Sequence, residues 1–135
     1  MVYTPHTKPV EFALHHLNNT TVKKLHLVNM LTLYDEHISG LQLLKELTIC
    51  DNEGITYQGV LGVVEQCPQL KALRINRYVR MDSDIVLKVL HTSPTLRRFH
   101  FLSKYKEQWP REVVYEVLHN VVRHSFPHVY DFKLN

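Results

Sequence analysis

Residues 44–75 read LKELTICDNEGITYQGVLGVVEQCPQLKALRI, and this stretch decides the fold. Two copies of one pattern, apolar-x-x-apolar-x-apolar, bracket it 26 residues apart: Leu44-Lys45-Glu46-Leu47-Thr48-Ile49 and Leu70-Lys71-Ala72-Leu73-Arg74-Ile75. Inside each copy apolar and polar residues alternate, the two-residue period of a strand with one buried face. Between the copies the period turns helical, with Val60, Leu61, Val63 and Val64 along one stripe. Thr56 suits the start of that helix. Cys67-Pro68 suits its end, because proline has no N–H to continue the ladder.

Working outward, the pattern recurs at Val22–Leu27, Leu96–Phe101 and Val129–Leu134. The five copies start at positions 22, 44, 70, 96 and 129, giving steps of 22, 26, 26 and 33. Helical periodicity returns at Ile85 to Leu90 and most plainly at Val113, Val114, Val117, Leu118, Val121 and Val122. Asp82 or Ser83 and Pro110 mark helix starts; Ser93-Pro94 and Phe126-Pro127 mark ends. A nearly fixed order of strand, turn, helix and loop predicts parallel strands joined by helical crossovers, stacked so that successive units share one core. The expected architecture is α/β: a right-handed solenoid in a single domain over 1–135, with strands on the concave face and helices on the convex face. Strands are expected near 24–28, 46–50, 72–76, 98–102 and 131–134, and helices near 10–17, 57–66, 84–92 and 110–124.

The opening stretch resembles the cysteine-containing leucine-rich repeats of F-box substrate receptors of ubiquitin ligases. Leu44, Leu47, Ile49, Asn52, Ile55, Thr56, Gly59, Val60, Cys67, Pro68 and Leu70 fall on that family's pattern in register. The likeness is close over one repeat and looser over the rest. At the position of Asn52 the other repeats carry Met30, Tyr78 and Lys104, so the usual asparagine or cysteine ladder is interrupted. The resemblance implies a leucine-rich-repeat scaffold for substrate recognition, with a ubiquitin-ligase adaptor as one partner. No F-box segment is visible. Either the ligase-docking part lies outside this chain, or the chain belongs to a different branch with similar repeats.

The chain has 135 residues, 44% hydrophobic and 21% charged, which is ordinary for a globular domain. No apolar run reaches the roughly 18 residues of a membrane span, and Met1 to Pro9 lack the blocks of a secretory signal. The two cysteines, Cys50 and Cys67, make no disulfide framework or CxxC motif. An intracellular compartment is expected, cytoplasm or nucleus ahead of mitochondrion.

In such a stack the polar strand residues point away from the core and form rows about 4.8 Å apart from strand to strand. One row reads His26, Thr48, Arg74, His100, Lys133, basic with no acidic member; the adjacent row adds Lys24 and Arg98. These residues are the expected contact surface for an acidic segment, a phosphorylated motif or a carboxyl terminus of another protein. The alternative is a plain solvated strand face. Loops following the strands are the second candidate: Arg77, Tyr78 and Arg80 in one, Lys104 to Trp109 in the next, where cations and aromatic anchors combine. Tyr78 and Trp109 would alternatively cap the core where the ladder fails.

Other chemistry is weakly represented. The net charge of +3, with thirteen acidic residues interleaved, lacks the footprint of a nucleic-acid binder. Among ten histidines, His15-His16, His119 with His124, and His124 with His128 lack the partners or geometry of a structural zinc set. Cys67 reads as a small buried apolar residue. The sequence holds no GxSxG, HExxH, GxGxxG or phosphate-cradling glycine loop, so neither an enzyme nor a cofactor is expected. Two functions stay open: a protein-recognition module, or a structural subunit or assembly factor packed permanently into a larger complex. The second is favoured by a last strand, ending at Leu134-Asn135, that lacks a polar cap.

Overall fold

A computed structural model describes residues 2–3, 22–30, 33–77, 79, 81–103 and 111–134. The helix expected over 10–17, Tyr78, Arg80, the Lys104 to Trp109 loop and the Pro110 start lie outside the described residues.

Among them, six strands form one sheet: β1 (Val2–Tyr3), β2 (Lys24–Val28), β3 (Glu46–Cys50), β4 (Ala72–Arg77), β5 (Arg98–Ser103) and β6 (Asp131–Leu134). Their spatial order is the chain order, and every neighbouring pair is parallel. Helices follow β2, β3, β4 and β5: α1 (Asp35–Ile38), α2 (Tyr57–Gln66), α3 (Ser83–Thr92) and α4 (Arg111–Ser125). The protein is thus α/β with parallel strands. The four-residue α1 was not expected from the sequence. The 22-residue step leaves room for little more than one turn, whereas the two 26-residue steps hold ten-residue helices and the 33-residue step a fifteen-residue one. Extra residues are taken up by the crossover helix, since each strand must return to the same level.

The register repeats atom for atom. The carbonyl of Lys23 accepts from the N–H groups of Lys45 and Glu46 at 2.7 and 3.0 Å. That of Lys45 accepts from Lys71 and Ala72 at 2.7 and 3.1 Å, and that of Lys71 from Arg97 and Arg98 at 2.8 and 3.0 Å. Strand alternation then sends Leu25 and Leu27, Leu47 and Ile49, Leu73 and Ile75, and Phe99 and Phe101 into one core with Val60, Val63, Val64, Val86, Val89, Leu90, Leu118 and Val122 from the helices. The opposite face of β2 and β3 is half-buried or exposed.

The helix signals act locally. Thr56 caps α2 by accepting from the Gln58 N–H at 3.2 Å, and Asp82 caps α3 by accepting from the Ile85 N–H at 2.9 Å. Cys67, Ser93 and Phe126 each donate a last backbone N–H before their proline, to Val63, Val89 and Val122. Between neighbouring units, Asp35 accepts from both the backbone N–H and the hydroxyl of Thr56. That approach requires glycine at 59, where a Cβ would stand 2.2 Å from an Asp35 oxygen.

Asn52 joins two neighbouring units through its buried side chain. It is 1% exposed, donates from Nδ2 to the Leu27 carbonyl and accepts at Oδ1 from the Met30 N–H, both at 2.7 Å. Met30, at the equivalent place one unit earlier, is a buried apolar plug. Cys67 is likewise buried and donates its thiol to the Leu41 carbonyl at 3.2 Å. Burial raises its pKa against the opposing pull of a backbone hydrogen bond at Leu44, which leaves it a poor nucleophile.

Candidate functional site

Parallel pairing in a constant register lines up side chains two residues apart along each strand. His26, Thr48, Arg74, His100 and Lys133 are mutual Cα partners across β2 to β6, so the expected row exists. The row beside it is Lys24, Glu46, Ala72, Arg98, Asp131, and the third is Val28, Cys50, Asn76, Leu102. Arg77 ends β4, in register with Ser103.

The electrostatics differ from a continuous basic strip. Lys24 meets Glu46 at 3.8 Å on one flank. On the other, His100 Nε2 lies 3.0 Å from an Asp131 oxygen, a diagonal contact between neighbouring rows. The Asp131 carboxyl is held below its ordinary value, first by the His100 imidazole against it, with desolvation opposing and the charges of His100, Lys133 and Arg98 adding smaller pulls. The Arg98 guanidinium is held above its ordinary value chiefly by hydrogen bonding to Tyr130, with Asp131 and Glu46 adding to it. The flanks therefore neutralise much of their own charge. Arg74, at the middle, is exposed and, among the described residues, has no carboxylate within ion-pair distance.

Ala72 shapes the same region. It is the small member of its row, set between Glu46 and Arg98, and leaves a depression of about 170 Å³. Thr48, Arg74 and His100 complete the rim. Two arginines, one imidazole, one hydroxyl and one carboxylate thus line the depression together with Ala72, Leu47 and Leu73. The cations are legible in the sequence, whereas the gap and the diagonal pairing arise only in the fold. The sequence signal for both is that Ala72 and Asp131 hold the same place in their blocks as Arg98 does in its own.

The His100–Asp131 contact sets a pH dependence. A carboxylate whose folded pKa is lowered contributes stability above its unfolded value, near 3.8, and loses it as pH falls through the folded value. Asp131→Asn should therefore be less stable than the parent at about pH 6 and converge with it below the ordinary carboxylate range. Urea midpoints across that range check this; a gap independent of pH would contradict it.

A second depression, of about 290 Å³, lies between α4 and β6 and is lined by His119, Val122, Arg123, Pro127, Tyr130 and Phe132 among others. Among the described residues no three His, Cys, Asp or Glu side chains gather into a metal-binding group, and no helix is long and apolar enough to cross a membrane. No family model matches the chain and no curated protein matches it, so the site's own chemistry carries the functional reading.

Proposed function

We propose that this chain is a leucine-rich-repeat solenoid that recognises another protein through the polar face of its strands, a binding module rather than an enzyme. Three features support the reading: the sequential parallel order, the repeating carbonyl pattern at Lys23, Lys45 and Lys71, and the Asn52 rung. One observation carries it. Arg74 stands exposed at the centre of the face without a carboxylate partner among the described residues, where a partner's acidic or phosphorylated group would complete it. The narrower form, the receptor part of an F-box-type ubiquitin ligase in cytoplasm or nucleus, rests on the resemblance of residues 44–75 alone.

The test is affinity capture from native extract. Arg74→Glu combined with Arg98→Glu should cut recovery of the captured partner at least about tenfold, the cost of losing central contacts, while circular dichroism stays unchanged. Undiminished capture by the folded double variant would move the site off this face. A ubiquitin-ligase adaptor among the stoichiometric proteins would support the narrower form.

A second reading, a subunit packed permanently in a larger assembly, is favoured by β6. Phe132 and Leu134 are only partly buried, whereas their counterparts Phe99 and Phe101 are 0% and 1% exposed. Recovery only within a stoichiometric complex would favour this reading; recovery as a stable monomer would count against it.

A further inference from the structure

The proposed partner-binding face does not treat all anions alike. A run of acidic side chains laid across the strands would gain from Arg74 but would meet Glu46 on one side and Asp131 on the other. Like charges set side by side in this way oppose docking and select against such partners. A single anionic group avoids both. Over Ala72 it lies in a depression lined by Arg74, Arg98, Thr48 and His100, where Glu46 is the only carboxylate among the described residues. Lys24 lies 3.8 Å from that carboxylate and offsets part of its repulsion. At about 170 Å³ the depression is smaller than the roughly 300 Å³ at which pockets begin to enclose whole drug-sized ligands. It has the scale of one side-chain head group.

We infer that the depression over Ala72 is a receptor for one compact oxyanion, a phosphoryl group or a terminal carboxylate, carried by an otherwise non-acidic peptide segment. The inference rests on the recognition role proposed above and narrows it. Arg74 and Arg98 supply fork-like donors suited to a planar or tetrahedral oxyanion. Thr48 adds a hydroxyl donor from β3, while His100, whose Nε2 faces Asp131, walls the depression on the β5 side. Ala72 acts by its smallness, since any longer side chain would occupy the place of the anion.

Four labelled peptides test this by fluorescence anisotropy. One carries a single phosphoserine among glycine, serine and alanine; its unphosphorylated twin ends in an amide; a third is that twin with a free terminal carboxylate; the fourth is hexaglutamate. The phosphoserine or the free-carboxylate peptide should bind at least about tenfold more tightly than the amidated twin and than hexaglutamate, and which of the two does so identifies the source of the anion. Ala72→Leu, which removes no charge, should abolish that preference. Hexaglutamate binding as tightly as the best single-anion peptide, failure of both single-anion peptides to outbind the amidated twin, or a preference unaltered in Ala72→Leu would overturn the inference. The wider reading fails separately. If Ala72→Leu retains the partner that the Arg74→Glu and Arg98→Glu variant loses, the depression is excluded while the face remains the binding surface.

Discussion

Phe99→Ala should lower the stability of the fold by about 3–5 kcal/mol, the usual cost of removing a fully buried aromatic ring. Phe99 is 0% exposed at the core side of β5, in register with Leu73 on one strand and Phe132 on the next. Its ring meets that of Phe132 edge to face, with centroids 5.9 Å apart. The cavity opens in the shared interior, where strands on both sides hold the walls in place and limit collapse. Phe132→Ala should cost clearly less, because Phe132 is only partly buried and sits on β6, an edge strand of the sheet. Urea unfolding of the two variants gives the comparison. Equal losses, or a loss under about 1 kcal/mol for Phe99→Ala, would mean that the core is not continuous through β5.

Asn52→Ala should cost about 2–4 kcal/mol, although it removes only one small polar side chain. The size follows from what is left behind. The Leu27 carbonyl and the Met30 N–H lose their 2.7 Å partner in a place that Asn52 itself, 1% exposed, keeps dry. A buried group left without a partner costs its desolvation, which outweighs the modest net gain of making the bond. Hydrogen exchange localises the effect: the Met30 amide should be protected in the parent and exchange far faster in Asn52→Ala. Unchanged protection at Met30 would show that the side chain does not tie the turn after β3 to the end of β2.

The difference between these two sites shows how far the sequence can be read. Leu47 and Ile49, Leu73 and Ile75, and Phe99 and Phe101 were legible as core because strand alternation and constant spacing leave them no other face. The interior of α2 and α3 was legible from the helical stripes, and their ends from Thr56, Asp82 and the prolines. Helix α1 was not: four residues, Asp35 to Ile38, span little more than one turn, too short for a period to show. Phe132 and Leu134 repeat the core pattern faithfully yet stay partly exposed, because β6 has a strand neighbour on one side only among the described residues. Asn52 could be aligned with Met30 as an equivalent position, but that the two are joined by a hydrogen bond is a fact of three-dimensional stacking.

The site divides in the same way. The order His26, Thr48, Arg74, His100, Lys133 followed from spacing alone, and the register reproduces it. Charge balance did not follow, because side chains reach across rows. Asp131 is the register partner of Arg98, yet its carboxylate meets His100. A basic strip on paper becomes a basic centre in space, with Arg74 over the gap left by Ala72.

Adjacent parallel strands hold Thr48, Arg74 and His100 side by side while Leu47, Leu73 and Phe99 enter one interior. Cross-strand nuclear Overhauser contacts measured on isotope-labelled protein test this directly. Parallel pairing predicts contacts linking the backbone of Thr48 with Arg74 and of Arg74 with His100, together with side-chain contacts linking Leu47, Leu73 and Phe99. Close Hα–Hα contacts between these strands, the mark of antiparallel pairing, or an absence of contact between Leu73 and Phe99, would contradict it.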